Sequence, residues 1–298
     1  MNQIIYIAFF LIAASTITAQ QTNWEQAVLC YQKDSLICAS EKIDLAIKDS
    51  NEVKDPYTWH VRAFIYREIY KTSSNEQEKN LAREKSVEAF ARSLSLDKED
   101  EQKLKTNNIK GLESIATGLY NEGVNCLQIF EVEKGMEFFE KHNKTLKLID
   151  ENYVIQEREI SIKKAAAAIL TDRYNDDNEG NSDAFNKAIE YYNDILKIDS
   201  NDFKTNLNIG VLYHNKGINL LTGTRLDLTL PEIMKLQKNH VFYMQKSLQY
   251  MTKAYQTDKN HPGVIRALAG AYYSLHDDEK HEFYNQKLIK LEGTEGAE

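Results

Sequence analysis

The stretch Ala188–Asp199 reads AIEYYNDILKID, and a helix with its stop is written into it. Ala188, Tyr192, Ile195 and Leu196 recur at the spacing of one apolar helix face. The run then closes on Ile195-Leu196-Lys197-Ile198-Asp199. The same stripe returns as Ala39, Ile43, Ala46 and Ile47, as Val87, Phe90 and Leu94, and as Leu248, Met251, Ala254 and Tyr255. The closing tail returns too, as Ser93-Leu94-Ser95-Leu96-Asp97, Thr145-Leu146-Lys147-Leu148-Ile149-Asp150 and Ala254-Tyr255-Gln256-Thr257-Asp258. Self-similarity of this kind marks a repeat architecture.

Composition agrees with helices. The 298 residues include only three prolines and twelve glycines, about 1% and 4% against averages of roughly 5% and 7%. Many short strands would need many more turn residues, so an all-β fold is disfavoured. The balance of 37 Lys+Arg against 45 Asp+Glu gives a formal charge of −8, with no basic block. That lacks the electrostatic footprint of a nucleic-acid binder.

Ile4–Ala14 reads IIYIAFFLIAA, too short for a bilayer span, which needs ~20 residues. With Ser15–Ala19 behind it, residues 1–19 read as a secretory signal peptide cleaved near Ala19, although Met1-Asn2-Gln3 carries no Lys or Arg. A buried first helix is the other reading. No second apolar span follows, so the expectation is an exported chain, periplasmic or extracellular, with no membrane span after signal removal. Cys30 and Cys38 on one straight helix would lie about 12 Å apart, beyond disulfide reach. A hairpin turning near Gln32-Lys33-Asp34 would let them bond; otherwise both are small apolar core residues. Cys126 is expected to be buried.

First-helix patterns stand at Trp59-x2-Arg62-Ala63-x2-Tyr66, Asn206-x2-Ile209-Gly210-x2-Tyr213 and Arg266-x2-Ala269-Gly270-x2-Tyr273. Second-helix patterns stand at Ser86-x3-Phe90-x2-Ser93, Ala188-x3-Tyr192-x2-Ile195 and Ser247-x3-Met251-x2-Ala254. An N-terminal unit places Asn23, Gln26, Ala27 and Cys30 before Ala39, Ile43 and Ala46. On these residues the chain resembles the tetratricopeptide repeat family. Leu119-x3-Gly123-x2-Cys126 is a poor first helix, and its partner falls somewhere in Gly135–Leu148. The resemblance implies an all-α, right-handed superhelical solenoid of antiparallel helix hairpins. It would occupy residues 20–292 with five to six hairpins, and 293–298 would form a flexible tail. Extra segments at Thr72–Asn80, Asn175–Ser182 and Thr222–Leu230 predict long connections, and Pro231–Thr257 predicts a helix about 40 Å long. Gly210 and Gly270 are expected at close helix contacts. The repeat frame also puts a turn between Cys30 and Cys38.

Motifs of chemistry are missing. There is no phosphate loop, dinucleotide fingerprint or G-x-S-x-G elbow, and no pair among the seven histidines has helical zinc spacing. Asn175, Asp177, Glu179 and Gly180 resemble the start of a calcium loop, but Asn186 stands where its closing Glu belongs. An exposed loop with Ser182 or Asp183 capping the next helix is the simpler reading. No cofactor or metal is expected. What the resemblance implies instead is a concave wall of first helices. The positions beside its packing residues are Trp24, Val28 and Tyr31, then Tyr57, His60, Phe64 and Arg67, then Leu207, Val211 and His214. Aromatics with Arg are the composition of binding hot spots; packing against a neighbouring helix is the alternative for each. The implied function is a non-catalytic adaptor or scaffold of the cell envelope that docks a peptide or helix of a protein partner. A cell-surface protein capturing a small ligand or glycan is the alternative.

Overall fold

The computed structural model describes residues 21–178, 180–222 and 228–295, and every regular element among them is helical. In order these are α1 (Asn23–Gln32), α2 (Leu36–Ala46), α3 (Pro56–Thr72), α4 (Glu76–Leu96), α5 (Lys105–Gln128), α6 (Val132–Lys147), α7 (Gln156–Asp176), α8 (Ser182–Ile198), α9 (Phe203–Thr222), α10 (Leu230–Thr257), α11 (Pro262–Ser274) and α12 (Asp278–Glu295). A single 3-10 turn, Glu52–Lys54, precedes α3. Consecutive helices pair as antiparallel hairpins, α1 with α2 through to α11 with α12. The architecture is that of a tetratricopeptide-like all-α solenoid. The hairpins gather into two compact units, one ending at Ile115 and one beginning at Ala116, inside α5. The expected signal peptide, residues 1–19, lies outside the described residues. So do 296–298 of the expected tail, while α12 continues to Glu295.

The recurring Asp of each tail forms the turn between hairpins. Oδ1 of Asp49, Asp150, Asp199 and Asp258 accepts the backbone N–H two residues on, at 2.8–3.0 Å. Asp97 reaches further, to the N–H groups of Glu101 and Gln102. A short carboxylate that bonds its own following backbone replaces the helical bond that would have continued the helix. Within three hairpins the turn is made by one residue at positive φ: Asp34, Phe130 and His276. In each, the next N–H returns to the carbonyl five residues back, on Cys30, Cys126 or Tyr272. That is the bond that closes a left-handed helix cap.

Inside a hairpin, small residues bring the two backbones together. The hydroxyls of Ser86 and Ser247 donate to the carbonyls of Ala63 and Gly210, at 2.8 and 2.7 Å. A Cβ on Gly210 would meet Met251 Cγ at 2.7 Å, and one on Gly123 would meet the Gly135 carbonyl at 2.9 Å. Gly270 differs from expectation: a Cβ there would find ordinary contact, 3.5 Å from His214. The apolar stripes fill the rest, with Ile43, Phe90, Tyr192, Ile195 and Met251 fully enclosed.

Two of the three extra segments are shorter than the sequence suggests, because helix extends into them. Only Ser73–Asn75 joins α3 to α4, and residues 177–181 join α7 to α8, with Asn181 rather than Ser182 or Asp183 at the cap. Residues 223–227 of the third lie outside the described residues. The expected long helix is present as α10, whose 28 residues span about 42 Å.

Candidate functional site

The candidate site in the unit ending at Ile115 is built on one face of α3. Tyr57, His60, Phe64 and Arg67 follow at three- and four-residue steps, so helical geometry alone lines them up. Asp55 caps the helix by accepting the Tyr57 N–H at 3.0 Å, and Pro56 fits the first turn. α1 adds Trp24, Val28 and Tyr31, all partly buried against the core around Ala27, Ala39 and Ile43. The α1 end is fixed from the turn before α3. The Glu52 carboxylate accepts the N–H groups of Asn23 and Trp24 (3.2 and 2.9 Å), a negative charge at a helix N-terminus.

The rings form a continuous row. Trp24 meets Tyr57 edge-on at 5.0 Å between centroids, Tyr57 stacks on His60 at 5.8 Å, His60 lies 4.8 Å from Phe64, and Phe64 meets Phe90 edge-on at 5.2 Å. Such pairs hold their geometry as well as burying area. Behind the row, His60 Nδ1–H donates to Asn108 Oδ1 at 2.7 Å. Asn108 in turn donates to Ser93 Oγ, which donates to the Pro56 carbonyl. Burial pulls the His60 pKa below its ordinary value against that hydrogen bond, so the ring is neutral at pH 7. Burial likewise raises the Tyr31 and Tyr57 hydroxyls, keeping both as donors.

Arg67 ends the row. Its guanidinium carbon lies 5.7 Å from the Phe64 ring centre and Nη2 reaches Ser114 Oγ at 3.4 Å. Nε is buried without a hydrogen-bond partner, and no carboxylate among the described residues lies in ion-pair range. The guanidinium is thus left without a counter-charge among the described residues.

The three positions in the other unit sit differently. Leu207 and Val211 pack against the core of Met251, Ala254, Val264 and Leu268. His214 is half-buried beside Gly270, with Nδ1 enclosed and unpartnered, and burial and His240 lower its pKa. Two open clefts of that unit lie elsewhere, one of about 700 Å³ between α8 and α10 and one lined by α6, α7 and α8. The carboxylates Glu133, Glu159 and Asp194 that line them already bond lysines. Among the described residues no three His, Cys, Asp or Glu side chains converge as metal ligands. His281 bonds the Ala269 carbonyl, and Asp277 caps α12 through the Lys280 N–H.

Two features needed the fold. Cys30 and Cys38 are joined in a disulfide that ties α1 to α2 across their turn. Arg62, in the first-helix pattern, is 4% exposed. It meets Asp44 through Nε at 3.1 Å and stacks over Trp59 and Tyr66. The Tyr66 hydroxyl donates to Asp44 at 2.6 Å, and Lys85 donates to Tyr66 and Asp44. This network joins α2, α3 and α4 behind the aromatic row, and carries no periodic signature in the sequence. Neither a protein-family model nor a curated protein matches the chain.

Proposed function

We propose that the chain is a non-catalytic adaptor or scaffold of the cell envelope, which docks a peptide or helix of a partner on the face made by α1 and α3. The observation that carries this is the row Trp24–Tyr57–His60–Phe64 ending at Arg67, a cation paired with no carboxylate among the described residues. The aromatics supply rigid contact area, and Arg67 supplies a fixed point for a carboxylate of the partner. The face is already ordered by stacking and by the His60–Asn108 bond, so docking needs little rearrangement. Export is part of this reading, supported by the apolar Ile4–Ala14 run and by the Cys30–Cys38 disulfide, a bond that persists in oxidising compartments.

The test is crosslinking and capture from the intact envelope, followed by binding of the captured partner to the Phe64→Ala/Arg67→Ala chain. Capture is expected to be lost while the variant keeps the parent's far-UV circular dichroism and a cooperative thermal transition. A partner that binds the double variant as tightly as the parent assigns docking to another face.

A further inference from the structure

The first turns of α10 carry an exposed apolar surface that the docking face does not explain. α9 and α10 cross with Gly217 against Met244 and Gly210 against Met251. That register brings Thr222, the end of α9, level with about residue 239, so Leu230–Lys238 runs about 13 Å past its partner. The overhang is apolar on one side. Leu230 is 70% exposed and Met234 62%, and Val241 continues their line at helical spacing. Ile233 and Leu221, at the end of α9, are also exposed, while Phe242 lies about 100° further round α10, beyond Lys238.

Lys235 and Lys238 are exposed beside the stripe and pair with no carboxylate among the described residues. Lys246 lies over the Phe242 ring. Glu232, the acid within the overhang, is spent on its own helix end, accepting the Thr229 N–H and hydroxyl at 2.7 and 2.6 Å. A helix with Leu, Met and Val along one exposed stripe and lysines at its margin is suited to lie in a membrane interface. We propose that the α10 overhang docks this protein on an anionic lipid surface, with Leu230, Met234 and Val241 in the headgroup–acyl boundary and Lys235 and Lys238 on lipid phosphates. The surface projects rather than recedes, which suits a deformable acyl layer. The chain's formal −8 does not forbid it. Charges more than about 8 Å from the lipid are largely screened at physiological salt, whereas lysines at the tip are not.

The test uses the full chain and vesicles of phosphatidylglycerol with phosphatidylcholine, against vesicles of phosphatidylcholine alone. A Val241→Trp reporter reads this surface directly, with the signal of Trp24 and Trp59 subtracted from the parent chain. The reporter emission is expected to shift blue and to be quenched by brominated acyl chains on anionic vesicles only, with the effect weakened by salt. Leu230→Ser/Met234→Ser, and separately Lys235→Glu/Lys238→Glu, should each lower the reporter's partitioning at least about tenfold. Far-UV circular dichroism should not change, because all four side chains are exposed. A reporter that ignores anionic vesicles overturns the proposal, as does equal partitioning of the serine variant. So does a concentration-dependent dimer broken by the serine variant with no response to lipid, which would make the patch a contact between copies.

Discussion

Asp44→Ala tests how the docking face is held. Arg62 is almost wholly enclosed, and Asp44 is its close carboxylate at 3.1 Å; Glu88 approaches to 3.5 Å but is far more exposed. Removing one partner of a buried ion pair costs about 3–5 kcal/mol, because the other charge stays buried without compensation. The Asp44 side chain is 31% exposed, and the Trp59 and Tyr66 rings still face the guanidinium, so the low end applies, about 3 kcal/mol. With a urea m-value of about 2 kcal/mol/M, the transition of this unit should fall by about 1.5 M, read by far-UV circular dichroism. Asp44→Leu combined with Arg62→Met removes both charges and should recover most of the loss, since apolar replacement of a buried pair is often neutral. The pH dependence has a defined sign. Burial works against ionisation of Asp44, but the Tyr66 hydroxyl, Arg62 and Lys85 outweigh it and hold its pKa below the ordinary value. Its contribution is therefore complete above the unfolded carboxyl pKa and disappears as pH falls through the folded one. Asp44→Ala should flatten that acid limb. A loss under about 1 kcal/mol, or a double variant no better than the single, would refute the reasoning.

Two further outcomes are expected. Cys30→Ala/Cys38→Ala reopens a loop of sequence separation 8, which in the chain-entropy account lowers stability by about 2.5 kcal/mol; dithiothreitol should lower the parent's thermal midpoint to match and leave the variant unmoved. His60, His142 and His214 all have pKa values lowered first by burial, so the folded chain holds them neutral. Their contribution is present above about pH 6.5 and is lost as pH falls, by at most about 1.4 kcal/mol per pH unit for each. His142→Gln should make the urea midpoint fall less between neutral and mildly acid pH, and an unchanged slope would exclude that histidine.

The helices were legible because their cause is periodic. Ala39, Ile43 and Ala46, or Ala188, Tyr192 and Ile195, recur at the helical interval and are wholly or almost wholly buried. The tail aspartates were legible as boundaries for a related reason, since each acts on backbone within a few residues of itself. Pairings across tens of residues leave no such trace. Arg62 occupies a place in the pattern like that of Ile209 and Ala269, and Asp44 on α2, with Glu88 and the Lys85 carbonyl on α4, makes a charge tenable there. Gly270 shows the converse error. It matches Gly210 in pattern, but Gly210 faces Met251 across a hairpin while Gly270 faces His214 with room to spare.

Phe130 exposes the limit of turn chemistry as a guide. It shares its left-handed conformation with Asp34 and His276, and the same backbone bond closes all three turns. Asp and His tolerate that region, whereas a bulky aromatic there is an outlier. Its side chain is exposed, so burial does not offset the cost. What secures the turn lies elsewhere in the same unit. Arg173, at the end of α7, donates to the Phe130 carbonyl at 3.1 Å, and the Glu131 N–H returns to Cys126. Local preference at residue 130 is thus overruled by a bond from a residue 43 positions away, the same kind of long-range partner that makes Arg62 tenable.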